Sequence, residues 1–203
     1  MPRLAFLLPL ALSALLGTAS ATDEYRVGDR LPQAKAKPDA KSSYQTIRWE
    51  ALVPEGWDPA RDLRGINLAM LNDGDRRATE ALEKMKKAWD EAPVEPAWNG
   101  QRVRLPGFVV PLERVKEDVT EFLLVPYFGA CIHVPPPPAN QIIHVFPAKP
   151  VKNLRTMDAV WVIGVLDTTR SEALKGGNEA MGMAVAGYRM TAEQISPYKG
   201  PAR

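Results

Sequence analysis

Residues 129–145 read GACIHVPPPPANQIIHV and hold the only cysteine and both histidines of the chain, set around four consecutive prolines. A thiol and two imidazoles offer three kinds of chemistry at neutral pH: metal ligation, nucleophilic attack and general base catalysis. Cys131 and His133 are two residues apart, so on an extended strand their side chains share a face. By the same parity Ile142, His144 and Phe146 share one face, and Ile143 and Val145 the other. If the two runs are antiparallel neighbours closed by VPPPPANQI, Cys131, His133 and His144 converge. Those are three ligands of the kind zinc prefers, with copper as the alternative, and one coordination position is left for water or another group.

Two other uses of the same stretch stand beside this one. The run Pro135, Pro136, Pro137 and Pro138 holds its backbone near polyproline II, which preorganises a loop and also suits docking to a protein partner. A thiol enzyme would use Cys131 as nucleophile with His133 or His144 as base. The sequence has no glycine-flanked nucleophile turn, however, and apolar neighbours raise the pKa of a thiol, so no catalytic residue is assigned. A buried cysteine and hydrogen-bonded core histidines would need none of these roles. Met181, Met183 and Met190 alternate as core-filling residues do and are not counted as ligands.

The elements that must position these groups are mostly strands. Residues 103–112, 119–125, 142–146, 159–166 and 183–190 are β-rich runs bounded by Pro, Gly, Asp and Asn. Interruptions at Pro106, Gly107, Pro111 and Gly164 point to a bent sheet. The expected fold is mainly β within an α+β class: a small, curled, OB-like barrel of about five strands over residues 101–190. An amphipathic helix over 76–92 precedes it. There Ala78, Ala81, Leu82, Met85, Ala88 and Trp89 form one stripe expected to cover a sheet, with Asp73 or Asp75 as cap and Pro93 as stop. Trp49 and Trp57 are expected to clamp onto the core. Residues 171–180 offer at most a short helix, and the tail SPYKGPAR looks turn-like.

The N-terminus sets the expected compartment. One arginine, an apolar run from Leu4 to Leu16 and Ala19-Ser20-Ala21 make a signal peptide over residues 1–21, cleaved after Ala21. That run is shorter than the roughly 20 residues a spanning helix needs, so no stable membrane insertion is expected after cleavage. Residues 22–43 are polar and read as a flexible arm, and residues 44–203 as one β-rich domain. With 26 basic and 24 acidic side chains, the chain has no electrostatic footprint for nucleic acid. A single cysteine cannot form an internal disulfide, so in an oxidising compartment stability must come from packing.

Three stretches carry a family resemblance: GFVVPLE at 107–113, FLLVPYFGACIHVPPPPANQIIHV at 122–145 and MDAVWVIGVL at 157–166. Together, within residues 45–192, they resemble the bacterial exported family known as domain of unknown function 3299. The resemblance implies a secreted or lipid-anchored, periplasmic protein without an established catalytic activity. It also implies an association with envelope ABC transport components and with zinc limitation. The family's Cys-x-His stretch falls on Cys131 and His133. No cysteine stands at the cleavage site, so lipid anchoring there does not carry over.

Overall fold

The computed structural model of the chain describes residues 25–32, 43–58, 76–132, 136–173 and 184–199. The signal segment, His133, Pro135, Met181, Met183 and the helix caps proposed at Asp73 and Asp75 lie outside the described residues.

Eight strands and one α-helix are present among them: β1 (Gln45–Thr46), α1 (Arg76–Asp90), β2 (Arg102–Val115), β3 (Asp118–Val125), β4 (Ile143–Pro147), β5 (Ala159–Asp167), β6 (Ser171–Ala173), β7 (Ala184–Ala186) and β8 (Tyr188–Pro197). The large sheet runs β1-β2-β3-β4-β8-β5, and β2 pairs again with β5, closing strands β2, β3, β4, β8 and β5 into a barrel. Pairing is antiparallel except for β4 with β8 and the short β1 with β2. The expected small curled barrel is therefore the observed fold.

Closure depends on two long strands that each serve two neighbours. The first half of β2 pairs with β5 and the second half with β3, with Phe108 at the junction opposite both Val125 and Ala159. Gly107 sits at this corner, where a Cβ would come within 2.7 Å of the Leu124 side chain and 2.9 Å of the Val125 carbonyl. Opposite Ile163 and Gly164 of β5, β8 carries one extra residue, Glu193, and bulges there. A Cβ on Gly164 would lie 2.4 Å from the Thr191 carbonyl. These are the bends that the interrupting Pro and Gly residues foretold.

Inward-facing Val103, Leu105, Val109, Phe122, Leu124, Ile143, Val145, Val160, Val162, Leu166, Tyr188 and Met190 fill the barrel. Each large apolar side chain buried there stabilises the fold by about 1.5–3 kcal/mol. A 3-10 turn, Trp49–Leu52, plugs one end. The Trp49 indole N–H donates to the Pro106 carbonyl at 2.7 Å, and the Tyr188 hydroxyl donates to Leu52 O at 2.7 Å while accepting from Glu95 N at 2.7 Å. Trp49 is thus core, as expected, and Trp57 packs in a smaller cluster with Ala92, Ala139 and Val185.

Three details differ from the expectation. The helix covers little of the sheet: among its described side chains only Ala81 is fully buried, and Leu82 is 55% exposed. Its exposed face is instead laced by ion pairs such as Arg76–Glu80 at 3.3 Å. The strand expected to end at residue 190 is interrupted at Gly187 and then runs on to Pro197, and this second part is the barrel's fifth strand. Ser171–Ala173, expected as helix at most, pairs antiparallel with β7.

Residues 25–32, within the expected arm, lie against the barrel as a strap. Gly28 N donates to Phe128 O at 2.9 Å and Phe128 N to Asp29 O at 2.8 Å. The Tyr25 ring meets Phe108 edge-on at 5.2 Å between centroids.

Candidate functional site

The outward faces of β3 and β4 form one wall. Leu123 stands directly opposite His144, and Leu124 opposite Ile143. His144 therefore points away from the barrel interior, in line with the parity drawn from the sequence, and Ile143 and Val145 point in.

His144 is only 6% exposed, and both ring nitrogens are engaged. Nε2 meets the Glu121 carboxylate in a short contact, and Nδ1 lies 2.8 Å from Ser171 Oγ. Burial pushes the imidazole below its ordinary value, outweighing the Glu121 carboxylate, which pulls it up. Arg189 lowers it further and Glu113 acts the other way. A neutral imidazole has one donor and one acceptor nitrogen. The carboxylate can only accept, so Nε2 carries the proton and the Nδ1 lone pair accepts from the Ser171 hydroxyl. The Phe146 ring flanks His144 at 4.4 Å, and the Arg189 guanidinium lies 4.5 Å from the centroid of that ring.

Cys131 reaches the same wall by a different route from the one expected. It is not on a strand paired with β4, whose partners are β3 and β8. After β3 ends at Val125, the chain turns through Gly129 (φ 82°) and Cys131 (φ 66°), both left-handed. A ladder is hard to continue here, because left-handed residues break the pleat and prolines lack the N–H to donate. Among the described residues, no hairpin sets Cys131 opposite His144 by strand parity. Cys131 is instead buried at 3% exposure, in a cluster that includes Leu123, Val125, Ile142 and Leu31. The strap and Met157 hold this turn down; Gly129 N lies 3.1 Å from the Met157 sulfur. Burial raises the pKa of neighbouring Tyr127, and Cys131 raises it further.

The described part of the proline run is part of the body. Pro137 is buried, and Pro136 and Pro138 are half-buried. The following turn, Ala139–Gln141, ties three segments together. Asn140 Nδ2 donates to Pro93 O at 2.9 Å, Gln141 Nε2 to Trp49 O at 2.8 Å, and Gly187 N to Ala139 O at 2.7 Å. Met190 is fully buried inside the barrel.

For a metal, the donor types fit better than their present placement. A thiolate and imidazoles suit zinc, and an imidazole whose far nitrogen is held by a carboxylate is the usual support for a ligating histidine. Among the described residues, however, no three His, Cys, Asp or Glu side chains gather closely enough to hold an ion.

Glu121 and Ser171 were not singled out from the sequence. Glu121 carried a faint signal, as the only charge within TEFLLV, two residues before outward-facing Leu123. Ser171 carried none, because its place depends on how β6 folds back over β4.

No helix of the described residues is long and apolar enough to cross a membrane. No curated protein matches the chain. A solved DUF3299 family protein from Pseudomonas aeruginosa PAO1 is 34% identical, with a TM-score of 0.57, and the match covers 79% of this chain and 100% of that one. The family model described as protein of unknown function (DUF3299) matches residues 49–197, which span the plug, the helix and the whole barrel. The chain belongs to the DUF3299 family.

Proposed function

We propose that this chain is a periplasmic accessory protein that holds a transition metal, zinc foremost and copper second, and serves an envelope ABC transport system concerned with metal supply. Cys131, His133 and His144 are the ligands. The observation that carries the proposal is the state of His144: a buried, neutral imidazole whose Nε2 is held by Glu121, leaving the Nδ1 lone pair satisfied by one serine hydroxyl. Cys131 adds weight, because its turn packs on Leu123 and Ile142 of the same wall. Bound there, zinc would fasten the turn bearing Cys131 to the barrel. His133 completes the set, two residues after the thiol.

Metal content of untagged protein tests this directly. The wild type is expected to retain about one zinc per chain after desalting, and Cys131→Ser/His133→Ala to lose it. Equal, negligible zinc and copper in both would sink the ligand assignment. Mass spectrometry of the protein recovered from a bacterial periplasmic fraction tests the compartment, with a mature N-terminus expected at Thr22.

A further inference from the structure

We infer that the cleft between β8 and the loop after β4 is a docking site for a short, extended, acidic peptide segment of a partner protein, added to the free edge of β8. This goes beyond the metal proposal, none of whose ligands takes part. The cleft follows from where β4 stops. β4 runs parallel to β8 from Ile143 opposite Tyr188 to Pro147 opposite Ala192, and a last bond runs from Ala148 N to Ala192 O at 2.9 Å. β8 goes on to Pro197 with only β5 beside it among the described residues. The loop leaves instead for β3, where Val151 and Val119 exchange both backbone bonds at 2.9 Å. That anchor holds the two walls apart around a cleft of about 340 Å³.

Backbone direction decides what the cleft offers. Along a strand, the N–H and C=O of one residue point to one edge and those of the next residue to the other. Tyr198 N donates to Ala159 O at 2.8 Å, toward β5, so Pro197 and Ile195 face the opposite edge. Pro197 fits that phase, because it has no N–H to give β5. With Glu193 as the extra residue of the bulge, Ala192 is next in phase, and its carbonyl does face Ala148, away from β5. Ile195 therefore presents an N–H and a C=O to the cleft that it lines, with no backbone partner there among the described residues. Such a pair at a sheet edge is a template for an added strand, and Pro197 limits the open edge to a few residues.

The charge of the lining selects the peptide. Lys149 and Lys152 are exposed on the loop wall, and neither forms an ion pair among the described residues. The one carboxylate of the lining, Glu193, is already held by Arg102, whose Nε and Nη2 donate to it at 2.8 and 2.6 Å. The cleft thus carries uncompensated positive charge beside apolar Pro147, Val151 and Ile195. A segment that alternates apolar and acidic residues meets both: its backbone pairs with Ile195, and its carboxylates reach the lysines. A basic segment is repelled by the same two lysines.

Fluorescence polarisation with the full mature chain and a short fluorescein-labelled peptide of alternating valine and glutamate tests this. The wild type should bind it with a Kd below about 1 mM, and bind the valine–lysine counterpart at least about ten-fold more weakly. Lys149→Ala/Lys152→Ala, which removes two exposed side chains, should weaken the glutamate peptide about five-fold or more and leave the thermal midpoint unchanged. Amide exchange followed by NMR reads the register: bound peptide should slow exchange at Ile195 and leave Ser196, which faces β5, as it was. Of two versions N-methylated at either the valine or the glutamate amides, the one whose blocked amides face β8 should lose binding. No binding of the glutamate peptide, or equal binding by the lysine peptide or by the double variant, would overturn the site. Binding that survives both N-methylations, or that leaves Ile195 exchange unchanged, would reduce it to charge attraction and overturn strand addition.

Discussion

The two faces of β3 and β4 are built from the same alternating strands to opposite standards. Inward, Phe122, Leu124, Ile143 and Val145 are fully buried by the other barrel strands and bring no polar side chain with them. Outward, Leu123 and Val125 are equally buried, yet the same wall carries Glu121 and His144. The difference lies in what covers each face. The inside is sealed by covalently continuous, hydrogen-bonded strands. The outside is covered by separate pieces: the strap at 25–32, the turn through Cys131, and the β6–β7 pair. A buried polar group is costly unless it is paired, and of these two faces only the outer one carries such a pair. The inner face is thus given over to packing, and the outer one carries the buried polar pair of Glu121 and His144.

The comparison is broken most severely from the inside. Phe122→Ala leaves a cavity in the sealed face and is expected to destabilise the protein by about 3–5 kcal/mol in urea unfolding. A loss below about 1 kcal/mol would mean the barrel is not packed as described. Next comes the plug. Trp49→Phe retains most of the apolar volume but orphans the buried Pro106 carbonyl, and should cost about 1–3 kcal/mol.

On the outer wall the effects are smaller and conditional. His144 titrates below its ordinary value when folded, so on acidification the unfolded chain takes up a proton that the folded one refuses. Its contribution is therefore fully present above the unfolded histidine pKa of about 6.5 and is lost as pH falls from there toward the lower folded value. Burial sets that lower value and Arg189 adds to it, while the Glu121 and Glu113 carboxylates pull the other way. Thermal melts between about pH 7.5 and 5.5 should show the midpoint falling in the wild type, and a shallower fall in His144→Gln. Identical slopes would show that the imidazole does not titrate as its burial implies. The smallest effect belongs to Cys131→Gly. Relief of a left-handed non-glycine residue, about 1–2 kcal/mol, offsets the loss of a small buried side chain. A net change under about 1 kcal/mol is expected, and a larger loss would mean the thiol contributes more than packing.

Much of the inner face was legible because it rests on period-two alternation. Four barrel strands lie within a few residues of the runs marked by their β-branched content. The split of His144 and Phe146 from Ile143 and Val145 onto opposite faces followed from the same parity. The fifth strand was cut short in the expectation because TAEQISP breaks its alternation at the adjacent polar pair Glu193-Gln194 and ends in Pro, which imitates a turn. In the barrel the alternation is plain: Tyr188, Met190 and Ala192 are buried, and Arg189, Thr191 and Glu193 exposed. The outer site was less legible, since CIHV has the composition of a strand while its backbone is bent by two left-handed residues. Nothing local announces Ser171, whose partner is 27 positions away.

β8 bonds to both β4 and β5 and completes the ring. Until residues 188–197 arrive, β4 and β5 each have an open edge, and the contacts that close the barrel are made last. A chain delivered N-terminus first would thus carry its closing strand at the rear. It would stay pliable through most of its passage and acquire its final shape only on emergence, a useful order of events for any protein that must be threaded before it folds.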